Sequence, residues 1–222
     1  MNQAQDLLKT YWGHEAFRPQ QEAIIDAVLN GKDVVALLPT GGGKSLCFQI
    51  PGLMREGITV VISPLVALMQ DQVNQLKERN IKAVALTGSQ SADDLVRLMD
   101  HLRFGGYKFL YLSPERLKND IVQDALKGLT INLFAIDEAH CISKWGYDFR
   151  PAYQQLKILK TLSPSAPILA LTATATQEVL NDTISELQLN APEIFVSPLI
   201  KENISVYIEQ REDLFDRVLG LI

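Results

Sequence analysis

Asp33-Val34-Val35-Ala36-Leu37-Leu38-Pro39-Thr40-Gly41-Gly42-Gly43-Lys44-Ser45-Leu46-Cys47-Phe48-Gln49-Ile50 joins two apolar runs through a glycine-rich turn that closes on lysine and serine. The first run reads as a buried strand and the second as the opening of a helix. That is the context a phosphate-binding loop requires. Glycines remove the Cβ atoms that would keep backbone N–H groups from wrapping an anion, and the helix turns its positive dipole end toward it. Lys44 then supplies a point charge for the β- and γ-phosphates, and the Ser45 hydroxyl is a ligand for the accompanying magnesium.

About ninety residues on, Leu133-Phe134-Ala135-Ile136 runs into Asp137-Glu138-Ala139-His140. An acidic pair at a strand end commonly does no more than complement a helix dipole. Beside a phosphate loop it has a second use: Asp137 can hold the metal and Glu138 can polarise an attacking water.

Other short β-branched runs recur at Thr59 to Ile62, Ala83 to Leu86, Phe109 to Leu112 and Ile168 to Leu171, each patterned for burial on both faces. Helical patterns lie between them: Leu65 to Lys77, Ala92 to Phe104, Ile121 to Leu126, Tyr153 to Leu162 and Gln177 to Leu187. Alternation of this kind predicts an α/β fold in three layers, a mostly parallel sheet with helices on both faces. Ligands of such sheets sit beyond the carboxyl ends of the strands. The phosphate loop, Ser63-Pro64, Ser113-Pro114-Glu115-Arg116, Asp137-Glu138 and Thr172-Ala173-Thr174 all follow strands, so they share that edge.

The chain has 222 residues, 47% of them hydrophobic, enough to bury the core of one domain. Its net charge of −5 excludes a bulk-electrostatic nucleic-acid binder, so any such contact must come from a local groove. Two cysteines, Cys47 and Cys141, lack zinc-ligand spacing and adjoin the nucleotide motifs, which points to reduced thiols and a cytoplasmic protein. No run reaches membrane-spanning length. The apolar end Gly220-Leu221-Ile222 stops mid-pattern, as expected of a piece of a longer protein.

Further motifs have two readings each. Phe17-Arg18-Pro19-Gln20-Gln21 precedes a helical pattern from Glu22 to Leu29; Gln21 could pair with the N6 and N7 edge of adenine with Arg18 on the ring, or the segment could be a surface cap. Trp145, Tyr147 and Phe149, interleaved with Lys144, Gly146 and Arg150, make either a stacking surface for unpaired bases or an aromatic mini-core. Leu171-Thr172-Ala173-Thr174-Ala175-Thr176 is either a strand end with a helix cap at Thr176 or a relay between nucleotide and nucleic acid. Ser63-Pro64 and Ser113-Pro114 with Arg116 read equally as helix starts and as groups suited to nucleic-acid phosphates.

Taken in order, Phe17-Arg18-Pro19-x-Gln21, Pro39 to Ser45, Ser63-Pro64-Leu65, Ser113 to Leu117, Asp137 to Ser143, Trp145-Gly146-x-Asp148-Phe149-Arg150-Pro151 and Leu171 to Ala175 resemble the RecQ family of superfamily-2 DNA helicases. Leu38 stands where the common Gly-x4-Gly-Lys-Ser loop has its first glycine, which matches the helicase-like variant. The cysteine after the Asp-Glu-Ala-His box and the aromatic loop behind it separate this resemblance from other helicases. The resemblance implies a RecA-like first motor domain over 31–197, preceded by an adenine-reading helical segment over 1–30 and followed by a connection over 198–222 toward a second RecA-like domain. It implies ATP and Mg2+ as cofactors, and 3′ to 5′ translocation on single-stranded DNA and duplex junctions in repair and recombination. Arg18 and Gln21 would read adenine, with His14 where a residue covering the base often lies; Thr40 to Ser45 and Asp137 would hold phosphates and metal. Lys44, Asp137, Glu138 and His140 would run hydrolysis. Ser63, Pro64, Ser113, Arg116, Trp145, Tyr147, Phe149, Arg150, Thr172 and Thr174 would contact DNA or couple it to hydrolysis. Tyr147 replaces the family's usual histidine, and Leu199 to Asn203 only weakly resembles the usual lead into the second motor domain. An ATP-gated nucleic-acid-binding module and an RNA helicase are the alternatives.

Overall fold

A computed structural model of the protein describes residues 2–88, 92–146 and 148–197. Tyr147 and the expected connection over 198–222 lie outside the described residues. Seven strands form one sheet: β1 (Val34–Leu37), β2 (Ile58–Ile62), β3 (Ala83–Leu86), β4 (Phe109–Leu112), β5 (Ile131–Ile136), β6 (Ile168–Thr172) and β7 (Glu193–Val196). Their order is β3-β4-β2-β5-β6-β1-β7, and every neighbouring pair is parallel.

The sheet is buried on both sides because each strand is apolar at consecutive positions and strand side chains alternate between faces. On one face Val60, Leu110, Phe134, Ile168 and Ala170 pack with α5 (Ala92–Phe104), α6 (Asp120–Lys127) and α8 (Gln177–Glu186). On the other, Val34, Ala36, Val61, Leu133 and Leu169 meet α2 (Gln21–Leu29), α3 (Leu46–Met54) and α4 (Val66–Glu78). Leu8 of α1 (Asn2–Trp12) is fully buried and joins Ile25 of α2 and Ile50 of α3, so the first helix adds to the outside of that layer. Each such Leu or Ile contributes about 1.5–3 kcal/mol by leaving water.

Two elements differ from the pattern read in the sequence. Tyr153 to Leu162 is not one α-helix but a 3-10 helix over Pro151–Ile158 followed by a single turn, α7 (Leu159–Leu162). Its buried residues Tyr153, Leu156, Leu159 and Leu162 recur every three positions. A 3-10 helix aligns residues i and i+3 and so buries that row, which an α-helix would twist away. The second difference is β7, a parallel neighbour of β1 on the sheet edge. It follows Pro192 and is largely exposed, so it carries neither the alternation nor the continuous burial that marks a strand. Thr176 does cap α8, its hydroxyl accepting from Val179 N–H at 3.4 Å.

At the amino edge of the sheet, Asp33 is 6% exposed. Its carboxylate accepts from Lys160 Nζ at 2.7 Å and from the N–H groups of Ile168 at 2.9 Å and Asn190 at 3.1 Å. This one side chain ties β1, α7, β6 and the turn before β7 together.

Candidate nucleotide and nucleic-acid site

The carboxyl edge carries the polar motifs. After β1, Leu38 is held by Thr172, whose carbonyl accepts from Leu38 N–H at 3.0 Å, and the chain then turns through Pro39 to Gly43. Gly41 and Gly43 have φ of 76° and 75°, a left-handed conformation that glycine adopts without steric cost. A side chain at Gly43 would also collide with the Gln21 amide. Gln21 is 1% exposed, and its Nε2 donates to the carbonyls of Gly42 at 3.3 Å and Gly43 at 3.0 Å while its Oε1 accepts from Arg18 N–H at 2.8 Å. Gln21 thus faces the loop backbone, and its amide is already engaged there rather than displayed toward a base. Arg18 donates to the Gly41 carbonyl. Arg18, Pro19, Pro39, Thr40, Gly41, Gly42 and Ser197 border a cavity of about 510 Å³. His14 is exposed and is not among the residues lining it.

Across from the loop, Asp137 continues the sheet, its N–H donating to Ile62 O at 2.8 Å. Its carboxylate accepts from Glu138 N–H at 3.1 Å and lies 3.5 Å from the Ser63 hydroxyl. Burial, then the adjacent Glu138 charge, raises the Asp137 carboxyl above its ordinary value, and Lys44 opposes that shift. Two carboxylates and a hydroxyl are hard oxygen donors, and a cation would offset both the burial and the neighbouring charge that raise the Asp137 value. Oxygen donors of this kind suit magnesium, which Asp137 and the expected ligand Ser45 would hold.

Glu138 sits at φ 49°, ψ 47°, a left-handed position that costs a non-glycine residue roughly 1–2 kcal/mol. That turn aims its carboxylate back over the loop: Oε1 is 3.8 Å from Lys44 Nζ and Oε2 is 3.3 Å from His140 Nδ1. His140 Nδ1 is also 2.8 Å from the Thr172 hydroxyl, which donates its own hydrogen to the Thr174 carbonyl at 2.9 Å. With that hydrogen spent, the Thr172 oxygen accepts and His140 carries its proton on Nδ1. Tyr153 closes the group from below, its hydroxyl donating to the Asp137 carbonyl at 2.8 Å. Nothing in the sequence pattern singles out Tyr153, because its partner is a backbone atom.

Behind the box the chain leads into the aromatic segment. Trp145 is 79% exposed, so the mini-core reading fails for that ring. The segment's entry is fixed by Ser143, which donates to Asp182 of α8 at 2.6 Å and accepts from Trp145 N–H at 3.2 Å. Its exit is fixed by Arg150, whose N–H donates to Cys141 O at 2.9 Å and whose guanidinium donates to Pro64 O at 3.3 Å. Phe149 is half-buried between them. Cys141 is fully buried, and burial, then the Asp148 charge, pushes its thiol up to about 12.

The remaining predicted residues divide. Thr174 is exposed on the carboxyl edge, Pro64 is half-buried, and Ser113 begins a 3-10 turn, Pro114–Lys118, with Arg116 donating to Gly88 O at 3.0 Å. Ser63 departs from expectation: it is 3% exposed, with its hydroxyl turned to Asp137 and away from any solvent-borne phosphate.

The DEAD/DEAH box helicase family model matches residues 18–183, which spans the loop, the acid pair and the Thr172 strand end. The chain belongs to the DEAD/DEAH box helicase family. Among relatives, RecS of Bacillus subtilis is 44% identical over the whole of this chain and 45% of its own length. The ATP-dependent DNA helicase RecQ of Pasteurella multocida is 43% identical over 98% of this chain and 35% of its own length. The chain therefore spans less than half of either relative. In fold it is similar to the crystal structure of the helicase MrfA, with a TM-score of 0.67 at 17% identity over 89% of this chain and 33% of that one. The expected three-layer α/β architecture is that of helicase motor domains, with a sheet that is wholly rather than mostly parallel among the described residues.

Proposed function

We propose that this helicase-family chain is the ATP-binding motor domain of a RecQ-type DNA helicase, coupling Mg–ATP hydrolysis to 3′ to 5′ movement on single-stranded DNA. The observation that carries the reading is the convergence of Lys44, Glu138, His140 and Thr172 within hydrogen-bonding or ion-pair reach of one another. Adenosine occupies the cavity beside Arg18 and Pro19, and the triphosphate lies along Thr40 to Ser45. Magnesium, held by Ser45 and Asp137, neutralises charge developing on the phosphates. Lys44 balances the γ-phosphate, and Glu138 accepts a proton from the attacking water. His140 donates through Nδ1 to Thr172, so a shift of the strand end or of the aromatic segment reaches Glu138 through one side chain. Pro64, Ser113, Arg116, Trp145, Tyr147, Phe149, Arg150 and Thr174 belong to the DNA side of this coupling, with junctions of single- and double-stranded DNA as substrate.

Residues 1–30 act in adenine recognition, 31–197 form the motor domain, and 198–222 lead toward a second RecA-like domain. The RecQ resemblance also implies an arginine finger in that second domain, a group worth about 10³–10⁵ in turnover. This chain by itself therefore binds ATP weakly and hydrolyses it slowly. The exposed Trp145 favours DNA over RNA as partner, since the aromatic segment is the part that RNA helicases sharing the box lack. Phosphate release by a protein carrying both motor domains tests the reading: stimulation by single-stranded DNA exceeding that by RNA, and abolished by Lys44→Ala, is expected. Equal stimulation by RNA would favour the RNA helicase alternative, and nucleotide binding without phosphate release would favour a gated binding module.

A further inference from the structure

The polar group behind the acid pair contains atoms that nucleotide hydrolysis does not employ. His140, Cys141 and Asp148 each present one ligand atom, and these atoms lie within 4.8 Å of one another. His140 Nε2 is 3.8 Å from Cys141 Sγ, and that sulfur is 3.7 Å from Asp148 Oδ2. Metal–ligand bonds of about 2.0–2.3 Å give tetrahedral edges of roughly 3.3–3.8 Å. The two separations from the sulfur thus already match tetrahedral edges, and the nitrogen and oxygen lie no more than 4.8 Å apart.

The histidine is prepared for this in a second, independent way. Its Nδ1 proton is committed to the Thr172 hydroxyl, with Glu138 Oε2 at 3.3 Å, so the Nε2 lone pair faces the sulfur. Metal-bound histidines are held by this kind of hydrogen bond on the other ring nitrogen. The Asp148 side chain is 57% exposed, so its carboxylate meets solvent on the side away from the sulfur. The same Oδ2 lies 3.5 Å from the Arg150 guanidinium, which a bound cation would displace toward the other carboxylate oxygen.

We propose that His140, Cys141 and Asp148 form a binding site for one zinc-class divalent cation, distinct from the magnesium site at Ser45 and Asp137. Sulfur, imidazole nitrogen and one carboxylate select zinc-like ions, whereas magnesium demands an all-oxygen shell. On binding, the thiol proton leaves to solvent and the sulfur donates as thiolate, so one proton is released per cation. The bound cation ties the box residue His140 to Asp148 of the aromatic segment and fixes the two in one arrangement. The site does not depend on the helicase reading, since neither ATP nor DNA takes part in its formation.

The experiment is a cobalt titration of the 222-residue chain, freed of metal by chelation. A sulfur-to-cobalt charge-transfer absorption is expected to saturate at one cobalt per chain, to be displaced by zinc, and to persist in a large excess of magnesium. Cys141→Ala should abolish it and Cys47→Ala should leave it intact. Asp148→Asn, at an exposed position where folding is not at risk, should weaken cobalt affinity by at least about tenfold. Absence of the band at stoichiometric cobalt, its survival in Cys141→Ala, or unchanged affinity in Asp148→Asn would overturn the assignment.

Discussion

Two aspartates, one buried and one half-buried, sit at opposite edges of the same sheet. Asp33, at the amino edge, accepts three hydrogen bonds, one from a lysine and two from backbone N–H groups of distant segments. Asp137, at the carboxyl edge, has one backbone donor at 3.1 Å and a hydroxyl at 3.5 Å, and its neighbour is another carboxylate. A carboxylate whose lone pairs are met by fixed donors is a fastener. One with fewer donors beside a second negative charge is suited to meet a cation instead, and burial, then the Glu138 charge, raises its proton affinity.

Substitutions at the two edges should therefore fail in different assays. The largest effect is expected at the carboxyl edge, where Glu138→Gln in a two-domain protein should lower ATP turnover by about 10²–10³ while thermal unfolding moves little. Next, Asp33→Ala should cost about 3 kcal/mol, because it strands Lys160 and two buried N–H groups together. Urea unfolding would show it, and nucleotide affinity measured well below the transition should stay unchanged. If Asp33→Ala abolished turnover without loss of stability, the contrast between the edges would collapse.

Trp145→Ala sharpens the same division at smaller scale. Stability should change by no more than about 0.5 kcal/mol, as for other exposed positions. Single-stranded DNA binding should weaken by about 1–3 kcal/mol, the worth of one stacked base, read by fluorescence anisotropy. The smallest effect is one of pH. Because Asp137 has its folded value raised, the native state holds more protons than the unfolded chain between the ordinary aspartate value and the raised one. Stability should thus fall as pH rises through that window. Asp137→Asn should flatten the slope in denaturation curves taken across it, and an unchanged slope would mean the carboxyl is not the source.

The acid pair and the phosphate loop were legible because their chemistry follows from residues adjacent in sequence and from apolar runs that end where they begin. Six strands were legible for the same reason. Asp33 was read only as the start of a strand, since its partners lie 127, 135 and 157 residues away. Gln21 and Ser63 show a different limit: residue type predicts what a side chain can bond, but burial decides which partner it meets, and both turned inward. The half-exposed β7 escaped notice because periodicity detects burial, and this edge strand has little.

The strand order also bears on how the protein comes to exist. The glycine loop hangs from β1, whose neighbours in the sheet are β6 and β7, so the strand that carries the loop pairs only with segments far downstream. The Asp33 to Ile168 contact alone closes 135 residues of chain. Contacts so distant in sequence form slowly, because the entropy of closure is lost before the pairing repays it. During synthesis the loop emerges early with Arg18 and Gln21 to hold it, but its strand stays unpaired until β6 has left the ribosome. A nucleotide site on this loop therefore waits on the docking of β6 and β7, and ATP affinity should report whether those strands are in place.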